Sequence, residues 1–222
     1  MKLKDVKDYF FENIDEFNEK YGFSSKKSTF KLIKKTEFVS IVIDFTYNTY
    51  YDEIELIPCL NVYHKNLSDI AKKCVPGTNP AVAMYMVDLK LLKEKGERAI
   101  QKAAERGEIY WNIKEDTYKE DILKSIQELN YIYENYGKHE VERFSSIEEI
   151  YKLFRDKPKK HSPYHTVWQY KAIFGLIAAK ILHKDDYEKL KQIYYKTYQK
   201  KDQLTLDEFE CLMDVLDNLE TK

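Results

Sequence analysis

The strongest constraint on the fold is a change in the spacing of the apolar residues. In residues 6–23 they recur every three to four positions, the period of an amphipathic helix, and Gly22 stands where a helix C-terminus favours glycine. In residues 30–62 they recur at every second position, the period of a strand with one buried face. The sequence therefore predicts three antiparallel strands with the first helix against one face of the sheet. The helical stripe is Val6, Phe10, Ile14 and Phe17, and the alternating positions are Phe30, Leu32, Val39, Ile41, Ile43, Phe45, Tyr47, Ile54, Leu56, Pro58, Leu60 and Val62.

The third predicted strand contains a proline, and a further strand is predicted later in the chain. Pro58 has no N–H to donate to a neighbouring strand, so we expect this strand to lie at an edge of the sheet or to carry a bulge. The sequence EIYWNI, residues 108–113, is interpreted as one more strand. The predicted sheet is small, with three to five strands.

The second half of the chain carries strong helix signals. Capping boxes of the form Ser/Thr-x-x-Glu begin at Thr117, Ser145 and Thr205, and a nearly continuous apolar run ends near Leu182. The predicted fold class is therefore α+β, a small antiparallel sheet packed by helices with a helical C-terminal layer.

A polar segment that contains proline separates the last helices from the rest of the chain. This segment, residues 156–162, is interpreted as a linker. It predicts an α+β domain over residues 1–157 and a helical C-terminal extension over residues 158–222. The extension either stands apart or packs with the first part as a single domain.

The balance of charges and the apolar runs argue against several classes of partner. The chain has 37 Lys and Arg residues against 38 Asp and Glu residues, and no segment has the basic excess that nucleic-acid binding uses. The cluster of Lys157, Lys159 and Lys160 is interpreted as a solvated loop rather than a phosphate site. No run approaches the ~18 apolar residues of a membrane-spanning helix. We therefore predict neither a nucleic-acid nor a membrane partner.

The cysteines and the N-terminal sequence indicate the compartment. The three cysteines are few, odd in number and widely spaced, which fits a reducing environment without a disulfide framework. The N-terminal sequence MKLKDVKDYFF lacks the apolar core of a signal peptide. Both observations predict a cytoplasmic protein.

The sequence QLTLDEFE resembles the end of a calcium-binding loop, but the other ligands are missing. With Glu208 as the closing residue, the side-chain ligand positions of an EF-hand loop fall on Thr197, Gln199 and Lys201, and Asp202 replaces the turn glycine. A lysine ammonium group would be repelled by a bound Ca²⁺ ion. We therefore predict no calcium site and interpret the segment as a capping box at Thr205. The helix that follows has the apolar stripe Phe209, Leu212, Met213 and Leu216.

The histidines and cysteines do not form a recognisable catalytic or metal motif. His161 and His165 are four positions apart, but Pro163 lies between them and the Glu of a zinc-binding HExxH motif is absent. Phosphate-binding glycine loops and a nucleophile elbow are also absent from the sequence. We predict no catalytic residue, metal or cofactor. Two alternatives stay open. One is an enzyme or small-molecule binder with a site between sheet and helices that uses His64, His161 or His165, and the other is a structural or self-assembling role. Cys59, Cys74 and Cys211 are interpreted as structural.

Aromatic and acidic residues mark candidate surfaces for a protein partner. The chain has 19 tyrosines and 11 phenylalanines, and aromatic anchors are common at protein interfaces. Residues 202–222 hold seven acids against Lys222, an acidic face that suits a basic partner. The predicted partner-binding residues are Tyr47, Tyr50 and Tyr51 in a hairpin turn and Asp207, Glu210, Asp214 and Asp217 on the last helix. A second tyrosine cluster is Tyr194, Tyr195 and Tyr198.

The order of these segments resembles a known type of bacterial domain. An amphipathic helix ending in YGF is followed by TFKL, VSIVIDF and IELIPCLNV, and then by YWNI and FSSIEEI before a helical tail. This order resembles a family of uncharacterised bacterial α+β domains, some of which are thought to act as immunity proteins for polymorphic toxins. The resemblance covers residues 1–155 and implies no catalytic residue. It implies a non-enzymatic protein-binding module, of the kind that inhibits a toxin.

Overall fold

The computed structural model describes residues 2–74, 81–106, 109–155, 168–201 and 203–219, with the backbone alone for residues 168–171. The strands are β1 (Ser24–Lys26), β2 (Lys31–Lys35), β3 (Val39–Thr49), β4 (Glu53–His64), β5 (Val82–Tyr85) and β6 (Trp111–Lys114). The helices are α1 (Leu3–Asn13), α2 (Asp15–Tyr21), α3 (Lys65–Ala71), α4 (Met86–Lys95), α5 (Glu97–Glu105), α6 (Tyr118–Ile132), α7 (Lys138–Phe144), α8 (Ile147–Phe154), α9 (Trp168–Ile181), α10 (Tyr187–Tyr198) and α11 (Gln203–Asp217).

The predicted N-terminal helix is present, with a break in it. Its apolar stripe is buried as predicted, from Val6 through Phe10 to Phe17. Ile14 separates α1 from α2, and α2 ends at Gly22, whose left-handed φ of 72° suits glycine.

The strands form one antiparallel sheet, which confirms the predicted α+β class. The strand order is β1-β2-β3-β4-β5, and β6 also pairs with β4. Leu32 stands opposite Ile43 across β2 and β3, and Ile54 stands opposite Ile113 across β4 and β6. The hairpin between β3 and β4 is closed by the amide of Tyr50, which donates to the carbonyl of Glu53 at 2.9 Å.

Of the two alternatives predicted for the proline-containing strand, the edge position is wrong, and a bulge at Pro58 stays a prediction. This strand is β4, which has β3 on one side and both β5 and β6 on the other. The register with β6 covers only Glu53–Leu56, so Pro58 lies beyond it. Two short strands share this side of β4, and a proline is therefore tolerated inside the sheet.

Contacts divide the chain into two compact units. The first unit comprises Met1–Thr36, Ser40–Asn61 and Ala83–Val141, and it holds most of the sheet. The second unit comprises Glu37–Val39, Val62–Val82 and Glu142–Lys222.

An aromatic cluster lies in the core of the first unit. The ring centroid of Phe10 lies 5.6 Å from Phe11, 5.4 Å from Phe30 and 4.8 Å from Phe45. These edge-to-face contacts add to the burial of the rings, which contributes about 1.5–3 kcal/mol for each side chain. Phe30 has a positive φ of 50°, a strained value for a bulky residue, and its buried ring holds this conformation in place.

The second unit is built around α9. This helix packs against α3, α8, α10 and α11, and its described side chains from Ala172 to Ala179 are almost all buried. Gly175 allows α8 and α9 to approach closely, since a Cβ atom there would lie 2.8 Å from the carbonyl oxygen of Phe154. The hydroxyl of Tyr194 donates to the same oxygen at 2.7 Å. The helical C-terminal region is therefore present as predicted.

Two of the predicted capping boxes are displaced, and the third has another hydrogen bond. The cap of α8 is Ser146, one residue after the predicted one, and its hydroxyl accepts from the amide of Glu149 at 3.4 Å. Helix α11 begins before Thr205, which is buried inside its first turn. The hydroxyl of Thr117 donates to Asp121 instead of accepting from the backbone. The apolar stripe of α11 from Phe209 to Leu216 is buried as predicted.

The predicted linker, residues 156–162, lies outside the described residues, so the boundary between residues 157 and 158 stays a prediction. Helix α8 precedes this boundary and packs against α9, which follows it. No helix among the described residues is long and apolar enough to cross a membrane.

Candidate functional site

A groove of about 400 Å³ lies between α10 and α11 in the second unit. Its walls are Glu188, Lys191, Gln192 and Tyr195 from α10 and Glu210, Met213 and Asp214 from α11. We call this feature the α10–α11 groove.

Buried side chains fix the two walls of the groove. The rings of Tyr198 and Phe209 stack with their centroids 4.1 Å apart, and Tyr195 lies 6.2 Å from Phe209. Tyr198, Phe209 and Leu212 are almost fully buried. The groove is therefore set between two helices that a packed core holds together.

The α10–α11 groove is acidic. Three of its described lining residues, Glu188, Glu210 and Asp214, are carboxylic acids, and one, Lys191, is a cation. The Nζ atom of Lys191 lies 2.6 and 2.8 Å from the two carboxylate oxygens of Asp217, so a neighbouring acid already compensates its charge. The hydroxyl of Tyr195 donates to Oε1 of Glu210 at 3.2 Å. Negative charge thus lies beside the apolar side chain of Met213 in the α11 wall.

The four predicted acidic residues of α11 are all exposed and differ in their surroundings. Glu210 and Asp214 line the groove, and Asp217 binds the lysine on the opposite wall. Asp207 is not among the lining residues, and its carboxylate accepts from the side-chain amide of Gln203 at 2.6 Å. The structure therefore brings three of the four acids to one place.

The three predicted tyrosines lie together at the β3–β4 hairpin, in the first unit. Tyr51 is 98% exposed, and Tyr47 and Tyr50 are about half exposed. The hydroxyl of Tyr50 donates to Glu55 at 3.2 Å, and the Nζ atom of Lys7 lies 5.0 Å from the centre of the Tyr47 ring. The prediction that these residues bind a partner stays a prediction.

The second tyrosine cluster is mostly core. Tyr194 and Tyr198 could have been surface anchors or core residues on the sequence alone, and their burial shows that they are core residues. They face the neighbouring helices of α10, and only Tyr195, on the other face of that helix, reaches the groove.

Of the three histidines in the alternative hypothesis, His64 is the one within the described residues, and it is buried. His64 is 4% exposed, and burial lowers its pKa below the ordinary value, although a hydrogen bond with the backbone of Ser145 acts in the opposite direction. Such a histidine is neutral and closed off from solvent. His161 and His165 lie outside the described residues. Within the described part of the chain, no group of three or more His, Cys, Asp or Glu side chains is placed to hold a metal ion.

The cysteines divide into a separate thiol and a pair. Cys59 lies in β4, where burial raises the pKa of its thiol to about 12. Cys74 follows the end of α3 and lies near Cys211 of α11, whose Sγ atom is 4.0 Å from the carbonyl oxygen of Lys73. Burial, and then the neighbouring Cys211 thiol, raise the pKa of the Cys74 thiol to about 12. Helix α3 ends at Ala71, so Cys74 lies in the turn that follows it.

The wall of the groove that α10 provides was not predicted from the sequence. Its residues are spaced i, i+3, i+4 and i+7, which places Glu188, Lys191, Gln192 and Tyr195 on one face of a helix. This spacing was a usable signal, but it indicates an exposed face without showing what lies opposite.

Comparisons of the chain with protein-family models, with curated proteins and with solved structures found no match in any of the three.

Proposed function

We propose that this protein is a non-enzymatic protein-binding module and that it receives a basic segment of its partner in the α10–α11 groove. The observation that supports the proposal is the excess of carboxylates beside the apolar side chain of Met213. Glu188, Glu210 and Asp214 stand at the groove, and the lysine there is already bound by Asp217. Such a site offers charge and apolar contact together.

The partner is expected to combine a cation with an apolar side chain. An arginine can donate two parallel hydrogen bonds to a carboxylate, which gives both strength and orientation. Met213 is a flexible side chain that adapts to an apolar neighbour, and Tyr195 offers an aromatic face. Charges of opposite sign also speed the encounter of two proteins.

The class of partner that we favour is a bacterial toxin domain. The resemblance of residues 1–155 to domains that include immunity proteins supports this choice. An inhibitor of this kind acts by covering a surface, so it needs complementary shape and charge and no catalytic group.

Charge reversal in the groove tests the proposal. The immobilised full chain would capture its partner from extract of the native source, and the affinity of the purified partner would then be measured for wild type and for Glu210→Lys/Asp214→Lys. We expect the double variant to bind at least about tenfold more weakly, which corresponds to about 1.4 kcal/mol. We also expect the affinity of the wild type to fall as salt is added, because salt screens exposed charges.

Asp207→Lys is the matched control, because it changes the charge on the same helix outside the groove. The proposal requires this variant to retain the wild-type affinity. It fails if the wild type retains no stoichiometric protein, or if the groove variant binds as tightly as the control.

A second candidate function uses the same groove for a small cationic ligand. Its volume of about 400 Å³ falls within the range of about 300–1,000 Å³ that is common for small-molecule sites. Thermal unfolding with aliphatic diamines and polyamines tests this candidate. A rise in the unfolding temperature that is lost in Glu210→Lys/Asp214→Lys would support it, and unchanged unfolding would exclude this ligand class.

A further inference from the structure

We infer that Cys74 and Cys211 are a redox-sensitive pair that forms a reversible disulfide bond when the protein meets a peroxide. This inference concerns a modification site, and it stands whether or not the α10–α11 groove binds a protein.

The two cysteines are neighbours within the second unit. The Sγ atom of Cys211 lies 4.0 Å from the carbonyl oxygen of Lys73, the residue directly before Cys74. Lys73 and Cys211 are 138 positions apart in the chain, so the fold, and not the local sequence, brings them together.

The surroundings of Cys74 favour the small adjustment that a disulfide needs. A disulfide has an S–S length of about 2.0 Å and a restricted dihedral angle. The two cysteine side chains must rotate to reach both values. Cys211 lies in the regular helix α11, whereas Cys74 follows α3 and is held by a turn hydrogen bond to the carbonyl of Ala71 at 3.1 Å. The turn can shift without breaking a helix.

The third cysteine provides an internal comparison. Cys59 lies in β4 in the first unit, and its sulfur is 3.9 Å from the side-chain oxygen of Asn61. Of the three thiols, Cys59 is the one without a thiol neighbour within the described residues.

The reaction balances with peroxide as the oxidant. The half-buried Cys211 thiol first releases its proton, and its sulfur attacks one peroxide oxygen; the O–O bond breaks and leaves a sulfenic acid and a hydroxide, which takes up the released proton to give one water. The Cys74 sulfur then attacks the Cys211 sulfur, the S–O bond breaks, and the Cys74 proton leaves with the hydroxide as a second water. Two thiols lose two electrons and two protons, and one peroxide is reduced to two waters.

The high pKa of the Cys74 thiol limits the rate of the second step. Its thiol has a pKa of about 12, because it is buried, and the thiolate is the reactive form. Formation of the disulfide is therefore expected to be slow near neutral pH and to accelerate as the pH rises.

The bond would affect the helix that carries the groove. Cys211 follows directly after Glu210 and precedes Met213, both of which line the α10–α11 groove. A disulfide would tie α11 to the chain after α3 and close a long loop, which stabilises a fold chiefly by restricting the unfolded chain.

Thiol mapping of the full chain tests the inference. The protein would be treated with hydrogen peroxide, unfolded in guanidinium chloride so that buried thiols become accessible, alkylated with N-ethylmaleimide and analysed by intact mass and peptide mapping, with and without later reduction by dithiothreitol. We expect the loss of two hydrogen atoms, alkylation of Cys59 alone, and a cross-linked pair of peptides that contain Cys74 and Cys211. Reduction should restore three alkylatable thiols.

Matched variants make the outcome decisive. Cys59→Ser should form the bond like the wild type, and Cys74→Ser and Cys211→Ser should not form it. The inference is overturned if all three wild-type thiols remain open to alkylation, if the bond includes Cys59, or if Cys211 oxidises further to a sulfinic acid without pairing. Should a serine variant fail to fold, the wild type alone suffices, because oxidation must raise its unfolding temperature and reduction must reverse the rise.

Discussion

The two units of this protein are assembled in different ways. In the first unit, β2, β3 and β4 follow one another along the chain and pair in that order, so neighbours in sequence are neighbours in space. In the second unit, α9 begins at Trp168 and packs against α3, which ends at Ala71. The β2–β3–β4 meander of the first unit is therefore specified by local patterns, whereas the packing of α9 in the second depends on contacts that no local pattern contains.

The units also differ in what they expose. The first presents a hairpin with three tyrosines, and the second presents a groove with an excess of carboxylates. Exposed tyrosines are common on proteins, whereas a concave site with charge of one sign restricts the chemistry of what can enter it. This difference is why we place the proposed binding site in the second unit.

The largest expected effect is loss of the aromatic cluster in the first unit. Phe10→Ala removes a fully buried ring that contacts three others, and we expect the free energy of unfolding to fall by about 3–5 kcal/mol. Fluorescence of Trp111 in a Trp168→Phe background would report unfolding of this unit under denaturant. Tyr51→Ala is the control, because Tyr51 lies in the same unit and is 98% exposed, and we expect the free energy of unfolding to change by less than about 0.5 kcal/mol. Equal effects of the two changes would contradict the assigned core.

A somewhat smaller effect is expected where two helices of the second unit meet. Gly175→Val places a side chain where a Cβ atom alone would lie 2.8 Å from the Phe154 carbonyl oxygen, and overpacking of this kind costs about 2–3 kcal/mol. Denaturant unfolding followed by circular dichroism measures the loss. Lys196→Val introduces the same residue at an exposed position of α10 and should unfold close to wild type. An unchanged midpoint for Gly175→Val would show that α8 and α9 do not pack this closely.

The smallest expected effect depends on pH. Burial lowers the pKa of His64 in the folded protein, so below about 6.5 the unfolded chain binds a proton that the folded chain does not. The contribution of neutral His64 to the free energy of unfolding is therefore fully present above that pH. It decreases as the pH falls, by at most about 1.4 kcal/mol per pH unit. Denaturant unfolding between pH 5 and 7.5 should show this slope in wild type and a smaller slope in His64→Leu. An identical slope in both proteins would contradict a buried, neutral His64.

The elements predicted correctly are those whose spacing of apolar residues lies within one continuous stretch of the chain. The helical stripe at Val6 and Phe10 and the alternation through Ile54 and Leu56 are buried as expected, because each period fixes a face by itself. The strand position of Pro58 was predicted wrongly, because the number of neighbours of a strand depends on distant segments.

The same reasoning explains what was missed at the candidate site. The sequence alone does not show which face of α10 is buried. The packing of α8, α9 and α11 decides it, and Tyr194 and Tyr198 lie on the buried face. Asp207, Glu210 and Asp214 were equivalent in sequence, and the groove separates the first from the other two. The pairing of Cys74 with Cys211 could not be predicted, because no spacing rule connects thiols so far apart.

Hydrogen–deuterium exchange of the protein with and without its captured partner shows whether the partner binds at the α10–α11 groove or at the hairpin. We expect slower exchange in Tyr187–Tyr198 and Gln203–Asp217 when the partner is bound, with little change at residues 46–55 in the hairpin. Protection of the hairpin with unchanged exchange in α10 and α11 would contradict it and would place the binding surface on the tyrosines of the first unit.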